Sequence, residues 1–268
     1  MAINPKIELR NFLVNLCKDV SIYMRAELEK VQADDIEEKE LNSLVSYVDK
    51  EAEKMIVAAL KGITPDAGFL TEEDTKNEIN KPLVWIIDPL DGTTNYLRKI
   101  PHFSTSIAMM EDGVVTLGIV YETMQDTAYT AIKGQGAWRN DSPLHVSKID
   151  KLSEAIVVTG FPYKRDKNME ANFDLLKFCV LNCRGIRRLG SAALDLAYVA
   201  DGKIDIYYES SLNIWDIAAG ILLVQEAKGA MTDFSGEFDF LESGNVLACN
   251  PALHKPMLEA ISQAYPKA

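Results

Sequence analysis

Two carboxylates three residues apart, Asp88 and Asp91, directly follow the apolar run Val84–Ile87. Pro89 fixes φ and keeps Asp88 out of helical geometry. Gly92 permits a tight turn, and Thr93 and Thr94 add two hydroxyls with N-cap chemistry. A buried strand thereby delivers two acids, a bare turn and two hydroxyls to one point. That set suits a hard cation and a phosphate: magnesium takes carboxylate, carbonyl and water oxygens and shares them with substrate phosphates. A helix beginning near Thr93 would turn free N–H groups toward the same anion. Asp-Pro and Asp-Gly are also ordinary turn dipeptides, so the bare spacing fits a structural turn equally well.

Other acids lie beside apolar elements: Asp49, the pair Glu72 and Glu73, and Asp216. Acids at the ends of buried elements are costly unless paired or metal-bound. Taken singly, Asp49 and Asp216 also read as helix caps. The elements that must position them follow from periodicity. Residues 5–29 predict an amphipathic helix and residues 46–61 a second, separated by an acidic stretch to residue 42 that reads as a mobile loop or short hairpin and contains Lys39. Residues 104–138 predict antiparallel strands joined by Glu111-Asp112-Gly113 and Lys133-Gly134-Gln135-Gly136. From residue 155 strands and helices alternate, which implies a layered α/β half. The segments 191–200 and 215–227 are apolar nearly all round and should lie between layers.

The chain has 268 residues, 47% hydrophobic and 25% charged, with a net charge of −12. That size fits one large unit or two intimate halves, 1–145 (α+β) and 146–268 (α/β), with a soft boundary near 141–152. The acidic balance argues against a general nucleic-acid partner. It would also repel a phosphorylated substrate unless bound cations reversed the local sign. Cys17, Cys179, Cys183 and Cys249 form no C-x-x-C and read as reduced thiols, not a zinc site. No apolar run is long enough to span a membrane, and no leader pattern opens the chain, so a cytoplasmic protein is expected. His102, His145 and His254 have no pairing motif and read as satisfied surface or core residues.

The string Val84 to Tyr96, VWIIDPLDGTTNY, closely resembles the signature of the inositol monophosphatase family. Four more segments resemble family segments in the same order: 43–50 (SLVSYVDK), 71–74 (TEED), 190–192 (GSA) and 215–220 (WDIAAG). Thr71 and Ser43 depart from the usual Gly and Asp. The resemblance implies an α/β fold, a layered α-β-α-β-α sandwich like that of inositol monophosphatase and fructose-bisphosphatase. It implies a lithium-sensitive, magnesium-dependent phosphatase, acting on a small phosphorylated polyol or sugar and assembling as a homodimer.

Carried over residue by residue, the resemblance assigns a first magnesium to Glu72, Asp88 and the carbonyl of Leu90. It assigns a second to Asp88, Asp91 and Asp216, and lets Glu72 reach a third. Asp49 and Thr93 would orient the attacking water, with Glu72 counted among the catalytic residues. Gly92, Thr93 and Thr94 would hold the phosphate, and Glu209 with Gly190, Ser191 and Ala192 the substrate hydroxyls. Lys39 and Glu73 would belong to a mobile loop at the site. Competing expectations are a 3′-phosphoadenosine 5′-phosphate phosphatase, which Thr94-Asn95-Tyr96 disfavours, a fructose-1,6-bisphosphatase activity, and a non-catalytic metal-binding scaffold. An RNA-binding role for Arg184, Arg187 and Arg188 is weaker than structural pairing.

Overall fold

The computed structural model describes residues 5–32, 35–40, 43–73, 78–161 and 168–265. The first half comprises α1 (Pro5–Glu27), the hairpin β1 (Ile36–Glu40) and β2 (Ser43–Ser46), α2 (Tyr47–Ile63), β3 (Gly68–Thr71), β4 (Leu83–Asp91) and the short α3 (Thr93–Leu97). A meander follows: β5 (Ser104–Glu111), β6 (Val114–Glu122), β7 (Thr127–Ile132), β8 (Gly136–Arg139) and β9 (Ser142–Pro143). The second half alternates β10 (Ile156–Thr159), α4 (Met169–Asn182), β11 (Gly185–Arg187), α5 (Ala192–Ala200), β12 (Ile206–Glu209), α6 (Ile214–Glu226), β13 (Ala230–Thr232), α7 (Phe240–Ser243), β14 (Val246–Cys249) and α8 (Pro251–Ala264).

Among the described residues, β3 to β9 form one seven-stranded sheet in chain order, and β11-β10-β12-β14-β13 form a second sheet of five. Strand β4 shows how the layers arise. Successive side chains point to opposite faces. Trp85 and Ile87 pack with Leu13, Val20, Ile56 and Leu60 of α1 and α2, whereas Val84 and Ile86 pack with Leu194, Ile217 and Leu222 of α5 and α6. The same α5–α6 core meets Val158, Tyr207 and Ala248 of the second sheet, so these two helices are apolar all round because both faces are covered. The far face of that sheet, Val157, Ile206 and Leu247, is covered by Leu175 of α4 and Leu253 and Met257 of α8. The stack is α-β-α-β-α, as the resemblance implies.

One local expectation is narrowed and one changes. The acidic stretch before residue 42 is a hairpin over its described part: Glu37 pairs with Val45 across the turn. The side chain of Lys39 lies outside the described residues, as does all of Asp74. The buried strand does not stop before the acids but runs through them, and β3 lies parallel beside it, Thr71 opposite Ile87. Between Asp88, opposite Ser106, and Asp91, opposite Ser104, β4 carries one residue more than β5. This β-bulge absorbs Pro89, which no regular ladder position would accept. The bulge is pinned where Thr105 Oγ1 donates to Pro89 O at 2.9 Å.

Ile107 is fully buried between the seven-stranded sheet and α1–α2. Ile107→Ala should cost about 2–5 kcal/mol in chemical denaturation; a loss below about 1 kcal/mol would mean that this layer is not close-packed.

Candidate active site

The acids reach one place by three routes. The parallel register of β3 and β4 puts Glu72 beside Asp88, and the Glu72 N–H closes the ladder on Ile87 O at 3.2 Å. The bulge then aims Asp91. Asp216 sits in the first turn of α6, where its Oδ2 accepts from Asn213 N at 2.7 Å, a cap on its own helix.

Two serines of β5, each opposite one aspartate in the ladder, tie the helix starts to these acids. Ser106, across from Asp88, donates to Trp215 O at 3.3 Å and brings in α6. Ser104, across from Asp91, meets Ser191 Oγ at 3.2 Å and brings in α5. Asp91 Oδ2 then accepts from Ser191 Oγ at 2.6 Å and from Ala193 N at 2.7 Å. A carboxylate at a helix N-terminus is favoured by the free N–H groups there.

The turn after Asp91 is equally constrained. Gly92 caps α3 at φ 97°, and a Cβ there would lie 3.1 Å from Gly190 O and 3.2 Å from His102 O. Gly190 has φ 94°, and its Cβ would meet the Asn95 amide at 2.9 Å. Asn95 Nδ2 straps the two turns together, donating to His102 O and Leu189 O at 2.8 Å each. Because Gly92 caps α3 without a side chain, the Thr93 hydroxyl is not spent as a cap. It lies 3.1 Å from both Asp49 Oδ1 and Leu90 O. Asp49 is 1% exposed, and its Oδ2 accepts from Ser46 N at 2.9 Å and Ser46 Oγ at 2.7 Å. Thr94 is exposed at the same turn. Glu73 is held from α2: its N–H donates to Glu53 Oε2 at 2.8 Å.

Electrostatics show how crowded these acids are. Burial first, then Glu72, Asp91 and Asp216, push the Asp88 carboxyl well above its ordinary range. Burial, then Asp91 and Glu72, do the same to Asp216, against its Asn213 cap. Burial also raises Asp91, while Ser191, the helix amides and Arg188 oppose it. Glu209, at the end of β12, is pushed up to about 7 by burial, with Arg188 and the Tyr207 hydroxyl (2.9 Å) opposing. Like charges held together out of water are stable only when protonated or met by a cation. Among the described residues no three His, Cys, Asp or Glu side chains already close into a metal cluster. The fit to a cation therefore rests on mutual proximity and on an all-oxygen donor set, which suits magnesium rather than zinc. A cavity of about 640 Å³ near Asn168, Phe234 and Lys255 is lined by none of these acids.

Sequence reasoning selected Asp49, Glu72, Asp88, Asp91, Thr93, Asp216 and Glu209, which these contacts and fields link. It passed over Asn95, Ser104, Ser106 and Asp195, treated His102 as satisfied, and read Arg188 as structurally paired. Asn95 stood inside the quoted motif and could have been singled out; the serines carry no local signal.

The profile of the inositol monophosphatase family matches residues 6–266. A Nus factor SuhB of Pasteurella multocida is 40% identical over 83% of this chain and 84% of its own. The crystal structure of the extragenic suppressor protein suhB from Bartonella henselae superposes with a TM-score of 0.90 at 35% identity, covering 96% of this chain and 100% of that one. An IMPase of Thermotoga maritima gives 0.87 at 31%, covering 95% and 96%.

Glu209 carries a pH prediction. An acid whose pKa is higher folded than unfolded binds its proton more tightly in the folded state, so its contribution to stability falls as pH rises from the unfolded value toward about 7. In metal-free protein, Glu209→Gln should gain stability relative to wild type across that window. Parallel unfolding curves at every pH would contradict the assignment.

Proposed function

The chain belongs to the inositol monophosphatase family, a family of magnesium-dependent phosphatases, and from that premise we propose that it hydrolyses inositol monophosphate to inositol and phosphate. The observation that carries the reading is the mutual electrostatic strain of Asp88, Asp91, Asp216 and Glu72, drawn from separate elements. On this reading Glu72, Asp88 and the Leu90 carbonyl hold one magnesium. Asp88, Asp91 and Asp216 hold a second, and Glu72 reaches a third. When bound, the ions would activate a water and neutralise the phosphate and leaving oxygen.

The chain's own residues would orient and deprotonate. Thr93 Oγ1 has one proton and can donate it to Asp49 Oδ1 at 3.1 Å. Its lone pairs then accept the proton of the attacking water, so the proton ends on a carboxylate whose burial makes it more basic. The Gly92 and Thr93 amides and the Thr94 hydroxyl would hold the phosphate. The Ser191 hydroxyl and the Ala192 amide are engaged on Asp91, so Glu209, with the backbone of 190–191, would meet the substrate hydroxyls. With its pKa about 7, Glu209 can both accept and donate there. Lys39 and Glu73 would border the site.

The catalytic unit takes ligands from both halves, 1–145 and 146–268. Phe173, Val180 and Leu181, exposed on α4, are what a homodimer would cover. No described helix is long and apolar enough to cross a membrane. A second reading, a partner-binding role as a Nus factor, is favoured by the name of the Pasteurella relative; the net charge of −12 speaks against broad affinity for nucleic acid.

Asp91→Asn should abolish magnesium-dependent phosphate release, with an unchanged circular dichroism spectrum. Retained turnover would defeat the ligand assignment. Wild type should prefer inositol 1-phosphate over fructose 1,6-bisphosphate and 3′-phosphoadenosine 5′-phosphate and be inhibited by lithium. A preference for the nucleotide would overturn the substrate.

A further inference from the structure

Behind the acid cluster lies a titratable pair that the hydrolysis proposed above does not use. Asp195 stands in the first turn of α5, its N–H donating to Ser191 O at 2.9 Å. His102 precedes β5. Their side chains are 2% and 14% exposed, and Asp195 Oδ1 faces His102 Nε2 at 4.0 Å. Among the described residues neither atom has a hydrogen-bond partner. Leaving a buried donor or acceptor unmet costs about 1–3 kcal/mol. A separation of 4.0 Å exceeds a hydrogen bond, so a bond between them requires a small rotation on the Asp195 side or one bridging water. Direct closure needs a proton between the two groups, whereas a bridging water would supply one to each.

We infer that Asp195 and His102 share one proton, Asp195 as donor and Nε2 as acceptor, and that the pair is a positioning strut joining α5 to the turn after Asp91. The covalent neighbours of both ends lead to the acids. The His102 carbonyl accepts from Asn95 Nδ2 and bears on Gly92. The α5 end supplies Ser191 Oγ and the Ala193 N–H to Asp91. Asn95 already links the two backbones through Leu189 O, and the strut closes the same triangle through side chains. Tyr198 packs edge-on to the imidazole at 5.7 Å and donates to Glu122 Oε1 at 2.7 Å, which limits rotation of the ring.

The charges around the pair agree on where the proton resides. Burial, then Glu209 and Asp91, raise the Asp195 carboxyl well above its ordinary range, with Arg188 opposing. Burial lowers His102 to about 4. Both directions favour a neutral acid facing a neutral imidazole, for which the ring proton belongs on Nδ1. This arrangement leaves no net charge on the buried pair itself.

The test rests on the proposed hydrolysis only in its second arm. In the first, ¹⁵N-imidazole spectra of the metal-free protein are recorded for wild type, Asp195→Asn and Asp195→Leu. The wild-type His102 should carry its proton on Nδ1, with Nε2 shifted upfield by an accepted hydrogen bond. Asp195→Asn, whose amide still donates, should keep that position, and Asp195→Leu should release Nε2 to the frequency of an unbonded ring nitrogen. A His102 spectrum unchanged by Asp195→Leu would overturn the pair.

In the second arm, Asp195→Leu and His102→Phe should each raise the magnesium concentration for half-maximal phosphate release about 10-fold. Asp195→Asn should be near wild type, and the double variant no worse than the poorer single. Multiplying effects would mean two independent residues and would refute the strut. Should wild type hydrolyse no phosphate ester, the hydrolytic reading fails while the spectra still decide the pair. If Asp195→Leu does not fold, loss of the upfield Nε2 position in Asp195→Ala decides it.

Discussion

The constraint on which this molecule depends is repulsion. Asp88, Asp91, Asp216 and Glu72 are carried into a poorly solvated corner, where each makes its neighbours harder to ionise. A protein selected only for stability would have replaced several of them with apolar side chains. Keeping them requires that they be fixed rather than allowed to relax apart. Most of the local architecture does this: a strand bulge, two left-handed glycines, an amide strap and two helix starts.

The fixing is distributed across both sheets. Asp88 and Asp91 belong to the first, while the helices that bring Asp216 and hold Asp91 lie between the layers. Ser104 and Ser106 connect these parts because alternate residues of β5 point to the same face as the bulged acids. The five-layer stack is thus the means by which residues far apart in sequence share one corner. The rigid core also explains why α5 and α6 read as apolar on every side.

The motif around Asp88 and Asp91 was legible because its chemistry is local: strand, turn glycine and hydroxyls lie in one run. The long helices and the β5–β8 meander were legible from periodicity. Three things were not. The bulge cannot be seen in β4 alone, since it is defined by pairing with β5. Ser104 and Ser106 look like ordinary strand residues until helices dock on them. His102 and Asp195 are 93 positions apart, and only packing turns two unremarkable residues into a buried pair. Thr93 was read both as a cap and, from the resemblance, as the partner of Asp49; a left-handed glycine takes the cap position, and the hydroxyl lies 3.1 Å from Asp49 Oδ1.

The central claim is that divalent cations relieve this repulsion by bridging acids from different elements. The most direct measurement is anomalous diffraction from crystals grown with manganese in place of magnesium. The account predicts anomalous peaks within coordinating distance, about 2 Å, of Asp88, Asp91 and Asp216 together, with Glu72 on the Asp88 side. Peaks confined to other surface carboxylates, or none among these four at saturating metal, would contradict it.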